Sequence, residues 1–169
     1  EIEKGKGPFK IWADNIIIAT GSRPRSMPHV EVDEKIIMTS DGIHQLEDYP
    51  KSLVIVGAGV IGCEYATIFA NFGKTRVHVI DRADRILPFE DDDISTLVDN
   101  NLTSQGVVMH HSSSLERLEI KDGEVEYELS YEDGRREIIR VEKALLAIGR
   151  TPNVENIGLE NVGIQMGQN

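Results

Sequence analysis

The stretch of sequence that decides the fold is Leu53–Asp81, LVIVGAGVIGCEYATIFANFGKTRVHVID. It opens with a continuous apolar run, Leu53–Val56, which is typical of a strand buried on both faces of a parallel sheet. Apolar residues then recur at helical spacing as far as Gly73, a residue type that commonly ends helices. A second apolar run, Val77–Ile80, completes the stretch. Together these features predict a βαβ unit.

The turn between the first strand and the helix has the pattern Gly57-x-Gly59-x-x-Gly62. Gly57 permits a tight turn, Gly59 lets a pyrophosphate approach the backbone, and Gly62 lets the helix lie close to the strands. The helix N-terminus offers free N–H groups and a partial positive charge to phosphates. The pattern therefore predicts a dinucleotide-binding turn, with a glycine-rich turn that holds no ligand as the alternative.

An acidic residue, Asp81, stands 19 positions after Gly62, at the end of the second predicted strand. A carboxylate there accepts hydrogen bonds from the hydroxyls of an adenosine ribose and repels a 2′-phosphate, which favours NAD(H) over NADP(H). The neighbouring Arg82 keeps NADP(H) possible because a guanidinium can hold that phosphate. The other interpretation of Arg82 is a solvated surface side chain.

The residues after Asp81 predict the rest of an α/β domain. A helix is expected at the acidic run Asp91–Asp93, with Asp93 as its N-cap, Gly106 after its end and a strand at Val107–Met109. The acidic run is better explained by carboxylates that complement the positive end of a helix dipole than by a site for a divalent cation. Ala144–Ile148 is a further apolar run that we expect in the central sheet. Between them, turn dipeptides separate the three strands of a predicted antiparallel meander, Leu115–Ile120, Val125–Leu129 and Ile138–Val141.

Composition excludes several classes of protein. The chain has 169 residues, of which 29 are acidic and 18 basic, for a net charge of −11. This balance argues against binding to nucleic-acid backbones or to anionic membrane surfaces. No apolar run approaches the length of a membrane-spanning helix, and no signal peptide is expected. The single cysteine, Cys63, allows neither an internal disulfide nor a zinc cluster, so we expect an acidic, soluble, intracellular domain without a metal site.

Four other side chains in or near these elements are of types that often have a chemical role. Cys63 is expected to be a small apolar residue at the contact between helix and sheet. Glu64, in the first helical turn, either complements the helix N-terminus or faces a cation or a reacting centre. His110 and His111 resemble a metal-binding pair only superficially, because adjacent side chains on a strand point to opposite faces.

An internal repeat links the two ends of the chain. Ile17–Pro24, IIATGSRP, is similar to Leu145–Pro152, LLAIGRTP: both combine an apolar strand, Ala-x-Gly and a proline three residues after the glycine. If each copy closes a similar domain, the first has too few preceding residues for a βαβ unit. The repeat therefore predicts that the chain is a piece of a longer protein, cut inside a first domain.

Four motifs, in this order and spacing, resemble the class I pyridine nucleotide-disulfide oxidoreductases. They are IIIATGSRP at 16–24, VGAGVIGCEYA at 56–66, DRIL at 84–87 and AIGRTPN at 147–153. The family includes dihydrolipoamide dehydrogenase, glutathione reductase, mercuric reductase and soluble pyridine nucleotide transhydrogenase. The run at 57–69 is most similar to the dihydrolipoamide dehydrogenase and transhydrogenase branches. Val60 stands where glutathione reductases carry a gating tyrosine, which argues against that branch.

The resemblance implies an α/β fold: a Rossmann-like parallel sheet with an inserted antiparallel β-meander, plus short flanking pieces of a truncated FAD domain. Residues 1–48 would end an FAD-domain segment with its crossover, 49–151 would form the NAD(H)-binding domain, and 152–169 would return toward the FAD domain. The parent would be an FAD-dependent enzyme in which NAD(P)H passes hydride to flavin, a homodimer through a domain missing here, located in a bacterial cytoplasm or a mitochondrial matrix. The family's redox-active CxxxxC and FAD-binding glycine motif do not occur in this sequence, so the fragment alone is expected to be inactive.

The resemblance also implies cofactor-binding roles for particular residues, and no catalytic residue. Asp81 would hold the adenosine ribose, Leu115 the adenine wall and Gly149 the far edge of the cofactor. Glu64 matches a family glutamate that pairs with a lysine beside the flavin. The pyrophosphate and nicotinamide side would be formed by Gly57, Ala58, Gly59, Val60, Ile61, Gly62, Cys63 and Glu64. The crossover that touches the flavin nucleotide would be formed by Ala19, Thr20 and Gly21.

Two other classes compete with this hypothesis. A non-catalytic dinucleotide sensor would share the glycine turn, but the acidic composition provides no DNA-binding segment to support it. An S-adenosylmethionine methyltransferase also has a glycine-rich turn after its first strand. That class usually ends its sheet with a reversed hairpin and lacks a meander before the closing strand. Titration with NADH, NADPH and S-adenosylmethionine distinguishes the three.

Overall fold

The computed structural model describes residues 11–165 and 167. Backbone contacts divide the chain into two units, one formed by Ser22–Thr151 and the other by Glu1–Gly21 together with Pro152–Asn169. The helices are α1 Val60–Phe72 and α2 Asp92–Ser104, with short 3₁₀ turns at Ile43–Gln45 and Leu159–Val162. The strands are β1 Ser22–Pro24, β2 Ile37–Thr39, β3 Ser52–Val56, β4 Arg76–Ile80, β5 Val108–His110, β6 Ser113–Lys121, β7 Glu124–Tyr131, β8 Arg136–Val141, β9 Lys143–Leu146 and β10 Arg150–Pro152.

The centre of the larger unit is a five-stranded parallel sheet in the order β2-β9-β3-β4-β5. The predicted βαβ unit is confirmed as β3–α1–β4, and Gly73 ends α1 in the left-handed conformation at φ 63°. The apolar run at 144–148 enters the sheet as predicted, in the form of β9. Strand β2 escaped the sequence analysis because it is only three residues long.

The predicted meander is confirmed as the antiparallel sheet β6-β7-β8. At the first hairpin, Asp122 and Gly123 both have positive φ angles, 54° and 84°, as a tight primed turn requires. Side chains of β3 and β4 such as Val54 and Ile80 pack with Val125 and Tyr127 of the meander. Alternate side chains of the same strands pack with α1 and α2 on the other face. The parallel sheet is therefore covered by helices on one side and by the meander on the other, which explains its continuous apolar strands.

Helix α2 begins earlier than the sequence suggested. Its N-cap is Asp91 rather than Asp93, and no side chain caps it. The buried Ser95 decides the position: its N–H donates to the Asp91 carbonyl, and its hydroxyl donates to the Ile86 carbonyl at 2.9 Å. These bonds hold the first turn against the preceding loop. The strand after α2 also starts one residue later than predicted, at Val108.

The predicted strand in the first repeat copy is wrong. Ile17–Ala19 forms no strand, and Ile17 is 91 % exposed. A strand needs a neighbour to satisfy its N–H and C=O groups, and no other described residue pairs with this segment. The ends of the two copies instead pair with each other, as β1 with β10. Within residues 11–165 and 167, no helix has the length and apolar content needed to cross a bilayer.

Candidate functional site

A cleft of about 640 Å³ lies in the larger unit, at the carboxyl ends of β3, β4 and β9. Its walls include the glycine turn after β3, Asp81 after β4 and Gly149 after β9. Open α/β sheets bind their ligands at this edge, because neighbouring strands there lead into diverging loops. The fold thus brings together Gly57 and Gly149, which are 92 positions apart in the sequence.

The three glycines of the turn are required for different reasons. Gly57 has φ +103°, and a Cβ there would lie 2.5 Å from the carbonyl oxygen of Ala147. A Cβ on Gly62 would collide with the carbonyl oxygen of Gly57. The absence of a side chain at Gly62 therefore lets the first turn of the helix pack against the backbone of the glycine turn, and not only against the strand. A Cβ on Gly59 would meet no atom within 4 Å. Gly57 and Gly62 therefore keep the turn compact, whereas Gly59 leaves it open to the cleft.

The N-terminus of α1 faces the same cleft. The helix begins at Val60 with Gly59 as N-cap, and no side chain bonds to its first N–H groups. Val60 and Ile61 line the cleft, and the Val60 side chain is exposed. Uncapped N–H groups with the positive end of the helix dipole form a binding site for an anion such as a phosphate.

Asp81 is tied to the glycine turn. One carboxylate oxygen, Oδ2, accepts a hydrogen bond from the backbone N–H of Ala58 at 2.6 Å. The other, Oδ1, accepts one from the N–H of Ala83 at 2.9 Å. Each carboxylate oxygen can accept two hydrogen bonds, so both keep capacity for a ligand hydroxyl. The backbone of Asp81 is fixed as well, by hydrogen bonds with the His110 carbonyl and the Ser113 N–H.

Gly149 forms the opposite end of the cleft. Its φ of +104° favours glycine, and its carbonyl accepts a hydrogen bond from the N–H of Arg25 at 2.9 Å. The adjacent Arg150 guanidinium is held by Ser40 and Asp41, among others. Leu115 and Arg82 line the cleft as well. The predicted positions Gly57, Gly59, Val60, Ile61, Asp81, Leu115 and Gly149 thus surround one cavity.

Four other predicted site residues do not line this cleft. Ala58, Gly62 and Cys63 are buried beneath the turn, where the Cys63 thiol donates to the Ala58 carbonyl at 3.4 Å. Burial, with the charges of nearby carboxylates, raises the pKa of Cys63 to about 11, so the thiol stays protonated. Glu64 is exposed and lines a different recess, beside Leu46.

The remaining predicted positions, Ala19, Thr20 and Gly21, belong to the smaller unit. The Thr20 carbonyl accepts a hydrogen bond from Nδ2 of Asn153 at 3.1 Å. The carbonyl of Gly21, whose φ is +73°, accepts one from the N–H of the same asparagine. These bonds join the two segments of that unit.

Sequence analysis missed a buried histidine pair behind Asp81. Nδ1 of His78 lies 3.1 Å from Nε2 of His110, whose Nδ1 lies 2.7 Å from the Tyr131 hydroxyl. Burial, followed by the neighbouring His110, lowers the pKa of His78 to about 4. The opposite orientation expected for His110 and His111 is confirmed, because His111 pairs with Asp99 instead. The only sequence signal was a polar residue, His78, within an otherwise apolar strand.

The family model described as pyridine nucleotide-disulphide oxidoreductase matches residues 2–169. The chain belongs to this family. Its relatives include a dihydrolipoyl dehydrogenase of Bacillus subtilis, 40 % identical over 96 % of this chain and 35 % of the relative. A soluble pyridine nucleotide transhydrogenase of Marinobacter nauticus is 42 % identical over 97 % of this chain and 34 % of the relative.

Solved structures of the family share the fold. LpdA from Mycobacterium tuberculosis has a TM-score of 0.76 and 31 % identity, over 88 % of this chain and 31 % of that chain. The HOCl-induced flavoprotein disulfide reductase RclA from Escherichia coli has a TM-score of 0.72 and 30 % identity, over 89 % of this chain and 33 % of that chain. The chain therefore spans about a third of the length of these pyridine nucleotide-disulphide oxidoreductases. Among these relatives, the transhydrogenase is named for pyridine nucleotides and RclA is described as a flavoprotein.

Proposed function

We propose that this chain is the NAD(H)-binding part of an FAD-dependent oxidoreductase and positions the nicotinamide for hydride transfer with flavin. The observation that carries the proposal is the hydrogen bond from Ala58 to Asp81 at 2.6 Å. It fixes a carboxylate suited to ribose hydroxyls beside a glycine turn suited to phosphates. Ribose and pyrophosphate are adjacent groups in a dinucleotide, and the two binding elements are adjacent in this cleft.

The residues present fit such a ligand. The space above Gly59 is where a Cβ would otherwise stand, so phosphate oxygens can reach the N–H groups at the start of α1. Asp81 accepts hydrogen bonds from the adenosine ribose, and its charge disfavours a 2′-phosphate. Leu115 provides an apolar wall for the base. NADP(H) is the weaker ligand in this proposal, with Arg82 as the side chain able to compensate for Asp81.

The chemistry of the bound nicotinamide is hydride transfer. The chain's own contribution is to hold the reactants in place, since positioning alone can lower a barrier by about 7–11 kcal/mol. Gly149 lets the ligand approach the backbone, and the exposed Val60 leaves its side of the cleft open. Residues 49–151 would form the binding domain, with β2 at Ile37–Thr39 completing their parallel sheet, and residues 1–21 and 152–169 would be pieces of the FAD domain that meets the flavin. The parent activity would be that of a dihydrolipoamide dehydrogenase or a soluble transhydrogenase, in a homodimer.

Calorimetric titration of the chain with NADH, NADPH and S-adenosylmethionine tests this function. We expect saturable binding of NADH, weaker binding of NADPH and none of S-adenosylmethionine. Gly59→Val should abolish NADH binding because its side chain fills the space intended for the phosphates. Ile138→Ala, at an exposed position on β8, is the matched control and should bind as the unaltered chain does. Absence of NADH binding by the unaltered chain would contradict the proposal.

A further inference from the structure

The loop between β4 and α2 presents a phenylalanine to solvent at the edge of the cleft. Phe89 is 99 % exposed, the largest exposed fraction among the large hydrophobic side chains that the structure describes. It lines the cleft together with Leu87 and Pro88. Burying such a side chain is favourable because it removes apolar surface from water, so an aromatic ring exposed at a binding cleft favours a ligand that covers it.

The backbone around Phe89 is held on both sides. The N–H of Leu87 donates to the Ala58 carbonyl at 2.9 Å, which ties the loop to the glycine turn. The Leu87 carbonyl accepts a hydrogen bond from the Ser95 hydroxyl at 3.1 Å, which ties the loop to α2. Pro88 then fixes its own φ angle. The ring is therefore carried by an ordered loop, and little backbone entropy would be lost when a ligand packs against it.

The position of the loop identifies the end of the cleft that Phe89 serves. The loop begins at Asp81, the carboxylate proposed to hold the adenosine ribose. Gly149, at the proposed nicotinamide end, follows β9, which is separated from β4 by β3. Phe89 therefore belongs to the adenosine end, where Leu115 also lines the cleft. The group attached to the ribose at that end is adenine, a flat and uncharged heterocycle.

We propose that Phe89 is the stacking surface for the adenine base of the dinucleotide and so sets affinity through the half of the ligand that does not react. The assignment deepens the proposed function and rests on it. Stacking of a base on an aromatic side chain needs no hydrogen bond, because it uses the π-face of the ring. Phe89 provides such a face, whereas Leu115 provides only aliphatic contact.

The test compares NADH with ADP-ribose, which keeps the adenosine and the pyrophosphate but lacks the nicotinamide. Phe89→Ala should weaken the binding of both ligands by the same factor, about tenfold, which is the scale of a lost stacking contact. Phe89→Trp should bind both at least as tightly as the unaltered chain. Ile138→Ala, also exposed but on the meander, should change neither affinity. The thermal midpoint of each variant should stay unchanged, since the Phe89 side chain has almost no contacts to lose.

Three other outcomes would overturn the assignment of Phe89. Equal NADH affinity for Phe89→Ala and the unaltered chain would overturn the stacking role and leave the proposed function standing. Weaker binding of NADH with unchanged binding of ADP-ribose would mean that Phe89 contacts the nicotinamide end, which would also overturn the assignment. Failure of the unaltered chain to bind either ligand would overturn the proposed function together with this inference.

Discussion

Oδ2 of Asp81 lies 2.6 Å from the backbone nitrogen of Ala58, which donates a hydrogen bond to it. This bond joins the carboxyl end of β4 to the glycine turn after β3 although 23 positions separate the two residues. The carboxylate is thus part of the turn's architecture as well as a candidate ligand group. Substitutions at Asp81 should therefore change both the stability of the fold and the affinity for nucleotide.

Asp81→Ala should weaken NADH binding by about 1–2 kcal/mol, because hydrogen bonds from the ribose hydroxyls to a charged acceptor are lost. The free energy of unfolding should fall by about 1–3 kcal/mol, since the N–H of Ala58 loses its partner. Asp81→Asn removes the charge with little change of volume and should raise the affinity for NADPH relative to NADH. Calorimetry and urea unfolding measure the two effects, and unchanged NADH affinity in Asp81→Ala would remove the residue from the site.

Two alanine substitutions in the glycine turn should separate folding from binding. Gly62→Ala places a methyl group against the Gly57 carbonyl oxygen and should lower the free energy of unfolding by about 1–3 kcal/mol or more. The Cβ that Gly59→Ala adds would have no atom within 4 Å. This variant should keep the free energy of unfolding within about 1 kcal/mol of the unaltered chain but bind NADH more weakly. Equal losses of stability in both variants would contradict this division of roles.

Acid should destabilise the fold through His78. Its pKa is lowered from 6.5 to about 4, so the unfolded chain binds the proton more tightly than the folded one. The contribution of neutral His78 to the free energy of unfolding is complete above pH 6.5 and decreases as the pH falls toward 4. The expected loss is about 2 kcal/mol between pH 7 and pH 5. Burial lowers the pKa of His110 too, which acts in the same direction. Urea unfolding at the two pH values should show a smaller pH difference for His78→Gln, and an identical difference would contradict the assignment.

Two tyrosines on β7 should respond in opposite ways to loss of the hydroxyl. The Tyr127 hydroxyl is buried without a hydrogen-bond partner among the described residues, so Tyr127→Phe should be neutral or stabilising by about 1 kcal/mol. The Tyr131 hydroxyl lies 2.7 Å from Nδ1 of His110, so Tyr131→Phe should destabilise by about 1 kcal/mol. Thermal unfolding measures both, and a large destabilisation by Tyr127→Phe would indicate a partner for its hydroxyl.

Much of the fold followed from local patterns. The strand–helix–strand unit around Gly57, the meander turn at Asp122 and Gly123, and the end of α1 at Gly73 were all predictable, since each depends on residues close in sequence. The start of α2 was misplaced because Ser95 bonds to a loop whose path the sequence does not show. The strand expected at Ile17–Ala19 did not form because extended backbone needs a neighbouring strand to bond with, and none of the described residues provides one.

The sequence alone determined the family, the glycine turn and the acidic residue after the second strand, because spacing along the chain sets which backbone conformations a segment can adopt. Only the tertiary structure decided which of the candidate residues share a cavity. It placed Gly149 and Leu115 beside the turn, kept Glu64 out of the cleft, brought Phe89 to its edge and paired His78 with His110. Those relationships depend on the register of neighbouring strands, which is set by packing between residues far apart in the chain.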